Sequence, residues 1–173
     1  ANLVAIAMVR EMGAIMTGVI MSGRTGAAFA AELGSMKVSE EISALRTFAI
    51  PPYDFLVTPR MMAMVLMMPL LVLYSNLLGI LGGGVVAIGM GLTPLQYGTQ
   101  AIQSLDLGEL ANSMMKSVVF GAIVGFTGCL RGMQSGNSAE AVGRATTSAV
   151  VTAITWIIVA DAIFAVLFNI FGL

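Results

Sequence analysis

The sequence predicts an all-α integral membrane protein with four membrane-spanning helices and a charged helical connection between the first two. Three observations carry that prediction. The chain is 58% hydrophobic and 10% charged over 173 residues, whereas soluble domains are near a quarter charged. Its apolar residues are gathered into segments long enough to cross a bilayer, which takes about 20 helical residues. Its basic residues fall on alternate connections, the asymmetry that orients membrane proteins.

Segment A runs from about Leu3 to Met21 and is interrupted by Arg10 and Glu11. Segment B follows Arg60 and is uncharged as far as Leu105. Its second half carries Gln96, Gln100, Gln103 and a Thr93-Pro94 break, so it reads as a loop and interfacial helix. One span over about Met64 to Ile88 is therefore expected, with Pro69 as a possible bend and Gly82-Gly83-Gly84 as a site of close helix contact. Segments C and D cover about Ser113 to Leu130 and Ala149 to Phe171. The A–B connection holds Arg24, Lys37, Arg46 and Arg60, and the C–D connection holds Arg131 and Arg144. The B–C connection has Asp106 and Glu109 with no basic residue before Lys116. The A–B and C–D connections are accordingly expected in the cytoplasm, with both chain ends outside.

Four ionisable residues fall inside the spans: Arg10, Glu11, Lys116 and Asp161. A charge at the bilayer centre costs roughly 2.5–3.5 kcal/mol even on the lenient insertion scale, so each needs a partner, water or a function. Counted from the cytoplasmic arginine of its own helix, Arg10 lies 14 residues away, Lys116 15 and Asp161 17. At 1.5 Å per residue these are about 21, 22 and 25 Å, one level in the outer half of the bilayer. Lys116 and Asp161 are the expected couple; Arg10 and Glu11, about 100° apart on a helix, face different neighbours. Two readings stand for this belt. One is a structural ion pair or snorkelling residues; the other is a polar belt around a cavity for a charged or amphipathic substrate. The Met cluster at 61, 62, 64, 67 and 68 likewise reads either as ordinary core and lipid contact or as an adaptable lipid-sized lining.

The stretch from Ser22 to Thr47 holds six of the seventeen charged residues: Arg24, Glu32, Lys37, Glu40, Glu41 and Arg46. Ser39 followed by two acids looks like a helix start, with Ile42, Leu45 and Phe48 as its apolar edge and Pro51-Pro52 as its stop. Acids at its start suit a soluble docking partner better than an anionic membrane surface. Several chemistries are excluded. A net charge of −1 offers no patch for nucleic acid. No histidine and one cysteine rule out His-based catalysis, intrachain disulfides and the usual zinc sites, and no metal site or cofactor is expected. The glycine-rich C–D connection lacks a phosphate loop, so nothing in this chain hydrolyses ATP. The start at Ala1 lies inside an apolar run with no basic region before it, so it is expected to be the middle of a longer protein and not a signal peptide.

At this point the motifs resemble one family, the MlaE/YrbE permeases of lipid-transporting ABC systems associated with MCE proteins. They are Arg10-Glu11-Met12-Gly13, then Gly23-Arg24-Thr25-Gly26-Ala27-Ala28, then Ala31-Glu32-Leu33-Gly34-Ser35-Met36. Glu40 to Leu45, Pro59-Arg60, Lys116-Ser117-Val118 and Val142-Gly143-Arg144-Ala145-Thr146-Thr147 follow in order. The resemblance covers essentially the whole chain and implies a single permease domain over residues 1–173, multi-pass in the bacterial inner membrane. The family's N-terminal interfacial helix and first span are expected to be missing here; the complete fold would have five spans. The resemblance further implies a homodimer carrying glycerophospholipid between the inner and outer membranes, and so bearing on outer-membrane lipid asymmetry. A cytoplasmic ABC ATPase (MlaF-like) would bind ATP and Mg, with a STAS-type subunit (MlaB-like) and a periplasmic MCE hexamer (MlaD-like) as further partners. The coupling helix would span residues 36–45, with Met36, Lys37, Glu40, Glu41, Ile42, Leu45 and Arg46 meeting the ATPase; Arg10, Glu11, Lys116 and Asp161 would line the lipid path. Proline often follows the first motif in the family, where this chain has Ala14. The alternatives are a self-contained proton-coupled transporter or channel using Glu11, Lys116 and Asp161, and a membrane scaffold that only recruits partners.

Overall fold

A computed structural model describes residues 2–172, and every regular element among them is helical. Four helices are long and apolar enough to cross a membrane: α1 (Leu3–Val38), α3 (Tyr53–Gly89), α5 (Leu107–Met133) and α6 (Ala139–Phe171). Two short helices join them, α2 (Glu41–Thr47) between α1 and α3 and α4 (Pro94–Ser104) between α3 and α5.

α5 is the central strut. More than half of its most apolar window is buried, against a third or less in the other three, and it packs against α1, α3 and α6. Its burial follows from its sequence: Ser113, Ser117, Gly121, Gly125, Gly128 and Gly132 are small, and small residues let helix backbones approach in lipid. At Gly128 a Cβ would lie 2.7 Å from the Gly26 carbonyl oxygen, so α1 and α5 touch backbone to backbone there. The core where the spans meet is built from Ala14, Met64, Met68, Val72, Phe120, Val124 and Ile157. Met64 and Met68 are thus core, while Met62 and Met67 face outward.

Three boundaries differ from expectation. Segment A does not end near Met21: the helix continues to Val38, and at about 54 Å it is much longer than the hydrocarbon core. The continuation is held by a stripe at Ser22, Gly26, Ala30, Leu33 and Gly34, all buried, while Arg24 and Glu32 stay on the outer face. Helical spacing there keeps the charges off the seam. The C–D connection shrinks to residues 134–138, because Ser138 Oγ accepts from the Ala141 N–H and starts α6 ten residues before Ala149. The expected single helix over 36–45 is interrupted at Ser39–Glu40. Glu40 is left-handed (φ 61°), so α1 stops and a separate α2 begins.

Segment B crosses once, continuing through Pro69. Gly91 (φ 97°) supplies the left-handed turn after it. α4 then opens with a capping box between Thr93 and Gln96. It folds back on α3 through Tyr97, whose hydroxyl donates to the Ile80 carbonyl at 2.8 Å, and through Ala101.

Candidate functional site

The belt is assembled around Lys116. α5 carries this residue into the protein with 1% of its side chain exposed, and two carboxylates from different helices meet it. Nζ donates to Glu11 Oε2 at 2.7 Å and to Asp161 Oδ1 at 3.0 Å. The Phe168 ring lies 5.7 Å from Nζ and closes a further side. A buried ammonium is tolerated only with such charge-assisted bonds, and they tie α1, α5 and α6 together at one level.

The local form of α1 decides what faces this level. Residues Met8–Met12 make a wide π-type turn inside the helix, a feature that is frequent at functional sites. It buries Val9 and leaves Arg10 and Glu11 partly uncovered, with 47% and 36% of their side chains exposed. Arg10 Nη1 is 3.8 Å from Glu109 Oε1, which lies on α5 two helical turns before Lys116. Glu109 Oε2 is buried and accepts no hydrogen bond among the described residues. Arg10, Glu11, Phe168 and Asn169 line a polar cavity of about 390 Å³.

A neutral polar layer adjoins the charged one. Asn76 of α3 is buried, and its Nδ2 lies 3.5 Å from Ser113 Oγ on α5. Its Oδ1 is pressed against Gly13, where any Cβ would overlap it. Gly13 is therefore fixed by close approach, immediately after the wide turn that positions Arg10 and Glu11.

The opposite end of the bundle carries the second group of residues. Arg60 bonds Glu32 at 2.7 Å, lies over the Phe29 ring and donates to the Leu56 carbonyl, fastening α3 to α1. Lys37 Nζ donates to the Met133 and Ser135 carbonyls at 3.2 and 2.6 Å, capping the C-terminus of α5. Ile42 joins Leu33, Leu56 and Cys129 in a small core against which Met36 and Leu45 pack. Of the seven residues expected to meet a cytoplasmic partner, Lys37 and Ile42 are thus used within the chain, and Met36 and Leu45 partly so. Glu40, Glu41 and Arg46 point outward, and Phe48, 75% exposed, stands beside them rather than on the buried edge with Ile42.

The structure brings Glu11, Lys116 and Asp161 into direct contact and sets Arg10 beside them. It adds residues that the sequence reading passed over: Glu109, Asn76, Ser113 and Phe168. Glu109 carried a usable signal, since it precedes Lys116 by seven residues and so shares its helix face. Asn76 was the one amide in the apolar stretch preceding the glycine triplet, and polar groups inside spans seek partners.

Residues 1–167 match the family model described as Permease MlaE. The chain is 39% identical over 93% of its length to a probable ABC transporter permease protein of Rickettsia typhi, covering 62% of that protein. A probable ABC transporter permease protein of Synechocystis is 34% identical over 92% of the chain and 61% of its own length. The Protein TRIGALACTOSYLDIACYLGLYCEROL 1, chloroplastic, of Arabidopsis thaliana is 36% identical over 92% of the chain and 46% of its own length. The chain therefore spans about three-fifths of the length of the bacterial relatives and just under half of the plant one.

Proposed function

This chain belongs to the MlaE permease family, and on that premise we propose that it is the membrane subunit of an ABC transporter that moves glycerophospholipid between the inner and outer membranes. A separate cytoplasmic ATPase supplies the energy, and the chain acts as a homodimer facing a periplasmic MCE assembly. The lipid class is carried over from two sources: the lipid-transporting family that the motifs resemble, and the diacylglycerol lipid in the printed name of the chloroplast relative.

The observation that carries the reading is the belt around Lys116. A purely structural ion pair needs two charges, but here Lys116 is held by both Glu11 and Asp161, and Arg10, next to Glu11 and paired with Glu109 two turns along α5, lines a polar cavity with Glu11. Arg10, nearly half uncovered, is placed to meet a phosphate, while the surrounding apolar helices accept tails. Glu40, Glu41 and Arg46 on the far side of the membrane form the face that docks on the ATPase. Arg10, Glu11, Lys116 and Asp161 share one depth by residue count, and among the described residues no chain of titratable groups continues across the bilayer, which favours substrate handling over proton conduction.

Reconstitution of the permease with its ATPase in proteoliposomes tests this. Wild-type protein should transfer labelled phospholipid to an acceptor only with ATP. Lys116→Met should lower transfer by about tenfold or more while the complex still assembles and hydrolyses ATP. Transfer by the permease alone without ATP, or full transfer by Lys116→Met, would show the reading to be wrong.

A further inference from the structure

α2, with its outward acids, is joined to the rest of the chain in three ways that differ in stiffness. Its Ile42 packs against Leu33 of α1, Leu56 of α3 and Cys129 of α5, an apolar contact that has no preferred direction and can slide. It also follows directly from α1, which leads to Arg10 and Glu11, but a second wide turn at Ser22–Gly26 interrupts that helix. Helices bend where such turns break the ladder, and a Cβ at Gly23 within the turn would meet open space, so nothing braces the joint there. The third connection is polar. On the last turn of α1, Lys37 Nζ donates to the Met133 and Ser135 carbonyls at 3.2 and 2.6 Å. One turn earlier, the Cβ position of Gly34 is 3.1 Å from both Ser135 Oγ and a Val142 methyl.

These contacts fall at the short connection over residues 134–138, where α5 ends and α6 begins. Ser135 is 5% exposed, and among the described residues Lys37 supplies the one side-chain hydrogen bond from another helix to this connection. Glu32, Glu40 and Glu41 are close to Lys37 in sequence, yet its ammonium is turned to the carbonyls at the negative end of α5. The α5–α6 hairpin carries Lys116 and Asp161, so the two belt residues share a rigid pair of helices whose cytoplasmic end is gripped by the end of α1. α3 is fastened to α1 through Arg60 and Glu32 but carries none of the belt charges.

We propose that Lys37 is a positioning residue for the transport cycle: it makes the end of α1 and the α5–α6 hairpin move as one body, so that a displacement of α2 reaches Lys116 and Asp161. Charge-assisted hydrogen bonds are specific in distance and angle, and they resist the sliding that the Ile42 contact allows. The proposal rests on the transport reading above and gives Lys37 a task within the chain in place of contact with the ATPase.

The complex of permease and ATPase in proteoliposomes tests this through the lipid moved per ATP consumed, a ratio that a helix cap alone does not set. Lys37→Met keeps the stem and removes the donors. It should lower the ratio about tenfold, the scale of one lost charge-assisted bond, while the ATPase still co-purifies and hydrolyses ATP. Gly34→Cys with Ser135→Cys places two thiols at the same junction, within reach of a disulfide. In the Lys37→Met background, oxidation of that pair should restore the ratio and reduction should abolish it again; Ser135→Cys alone should not respond to oxidant. If the pair does not form, Lys37→Arg reports instead, because its guanidinium keeps the donors and should hold the ratio near wild type. Loss of the ATPase from Lys37→Met would place Lys37 at the partner surface and overturn the proposal. An unchanged ratio, no recovery on oxidation, or a Lys37→Arg ratio as low as that of Lys37→Met would overturn it too. A wild-type complex that consumes ATP without moving lipid defeats the transport reading and this proposal with it, whereas wild-type transfer with an unchanged Lys37→Met ratio defeats this proposal alone.

Discussion

Lys116 shows what a single buried charge demands. Because it is held by both Glu11 and Asp161, neutralising one carboxylate leaves it paired, and neutralising both leaves an uncompensated ammonium. Glu11→Gln or Asp161→Asn alone should therefore lower thermal stability in detergent only modestly. The double variant should lose more than the sum, toward the about 3–5 kcal/mol typical of breaking a buried pair; simple additivity would indicate that only one carboxylate matters. The same geometry changes what a charge swap can do. Asp161→Lys with Lys116→Asp restores one pair but sets the new carboxylate against Glu11, so recovery of lipid transfer should require Glu11→Gln as well. Gly13 is the other decisive residue. Gly13→Ala should cost about 1–3 kcal/mol by overpacking against Asn76, and thermal melts should show much of that loss returned by Asn76→Ala. Depth counting in the sequence found the level shared by Lys116 and Asp161. It did not find Glu11 as the second partner of Lys116, because the wide turn of α1 alters the angular register that an ordinary helix would have.

Among the elements, the seam between α1 and α5 and the position of α2 matter most. Backbone contact at Gly26 and Gly128 leaves no room for a side chain, so Gly128→Leu should force the two helices apart and sharply reduce the yield of folded, monodisperse protein in size-exclusion chromatography. α2 hangs from α1 by a left-handed residue, with a second, Ala49 (φ 59°), just beyond it, and is anchored by Ile42. Ile42→Ala should cost about 2–5 kcal/mol, as for other large-to-small core changes. Glu40→Lys with Glu41→Lys should leave the melting temperature unchanged and weaken co-purification of the ATPase. The opposite outcome, with the core change sparing stability and the surface change lowering it, would invert the assignment of the two faces of α2. Spacing of Ile42, Leu45 and Phe48 suggested one apolar edge, but the left-handed Ala49 ends the helix just after Phe48 and leaves that ring outside.

At the scale of the whole molecule, the belt and the exposed face of α2 lie toward opposite ends of one bundle, joined by α5. Lys37 caps one end of α5 and Lys116 is pinned near the other. Thiol labelling checks the orientation: the native Cys129 is buried, so added cysteines report alone. Gln100→Cys on α4 should react with an impermeant maleimide in intact cells and Ser43→Cys on α2 only after lysis; the reverse pattern would turn the protein over. Composition and hydropathy are enough to establish an all-α membrane protein of four spans, because burial of backbone polar groups in lipid leaves the apolar segments little choice but helix. The basic connections supplied an orientation, and the motif order supplied the family. Element ends were another matter. The extension of α1 to Val38 and the early start of α6 depend on which face of an amphipathic stretch finds a neighbour, and a linear pattern does not specify that. Likewise, depth placed four charges at one level, but the choice of partners, the entry of Glu109 and the polar cavity beside Arg10 and Glu11 came from the packing of α1, α3, α5 and α6. A charge buried in lipid must pair, which can be read from its residue type; with whom it pairs is set by helix rotation and by a wide turn one residue out of register.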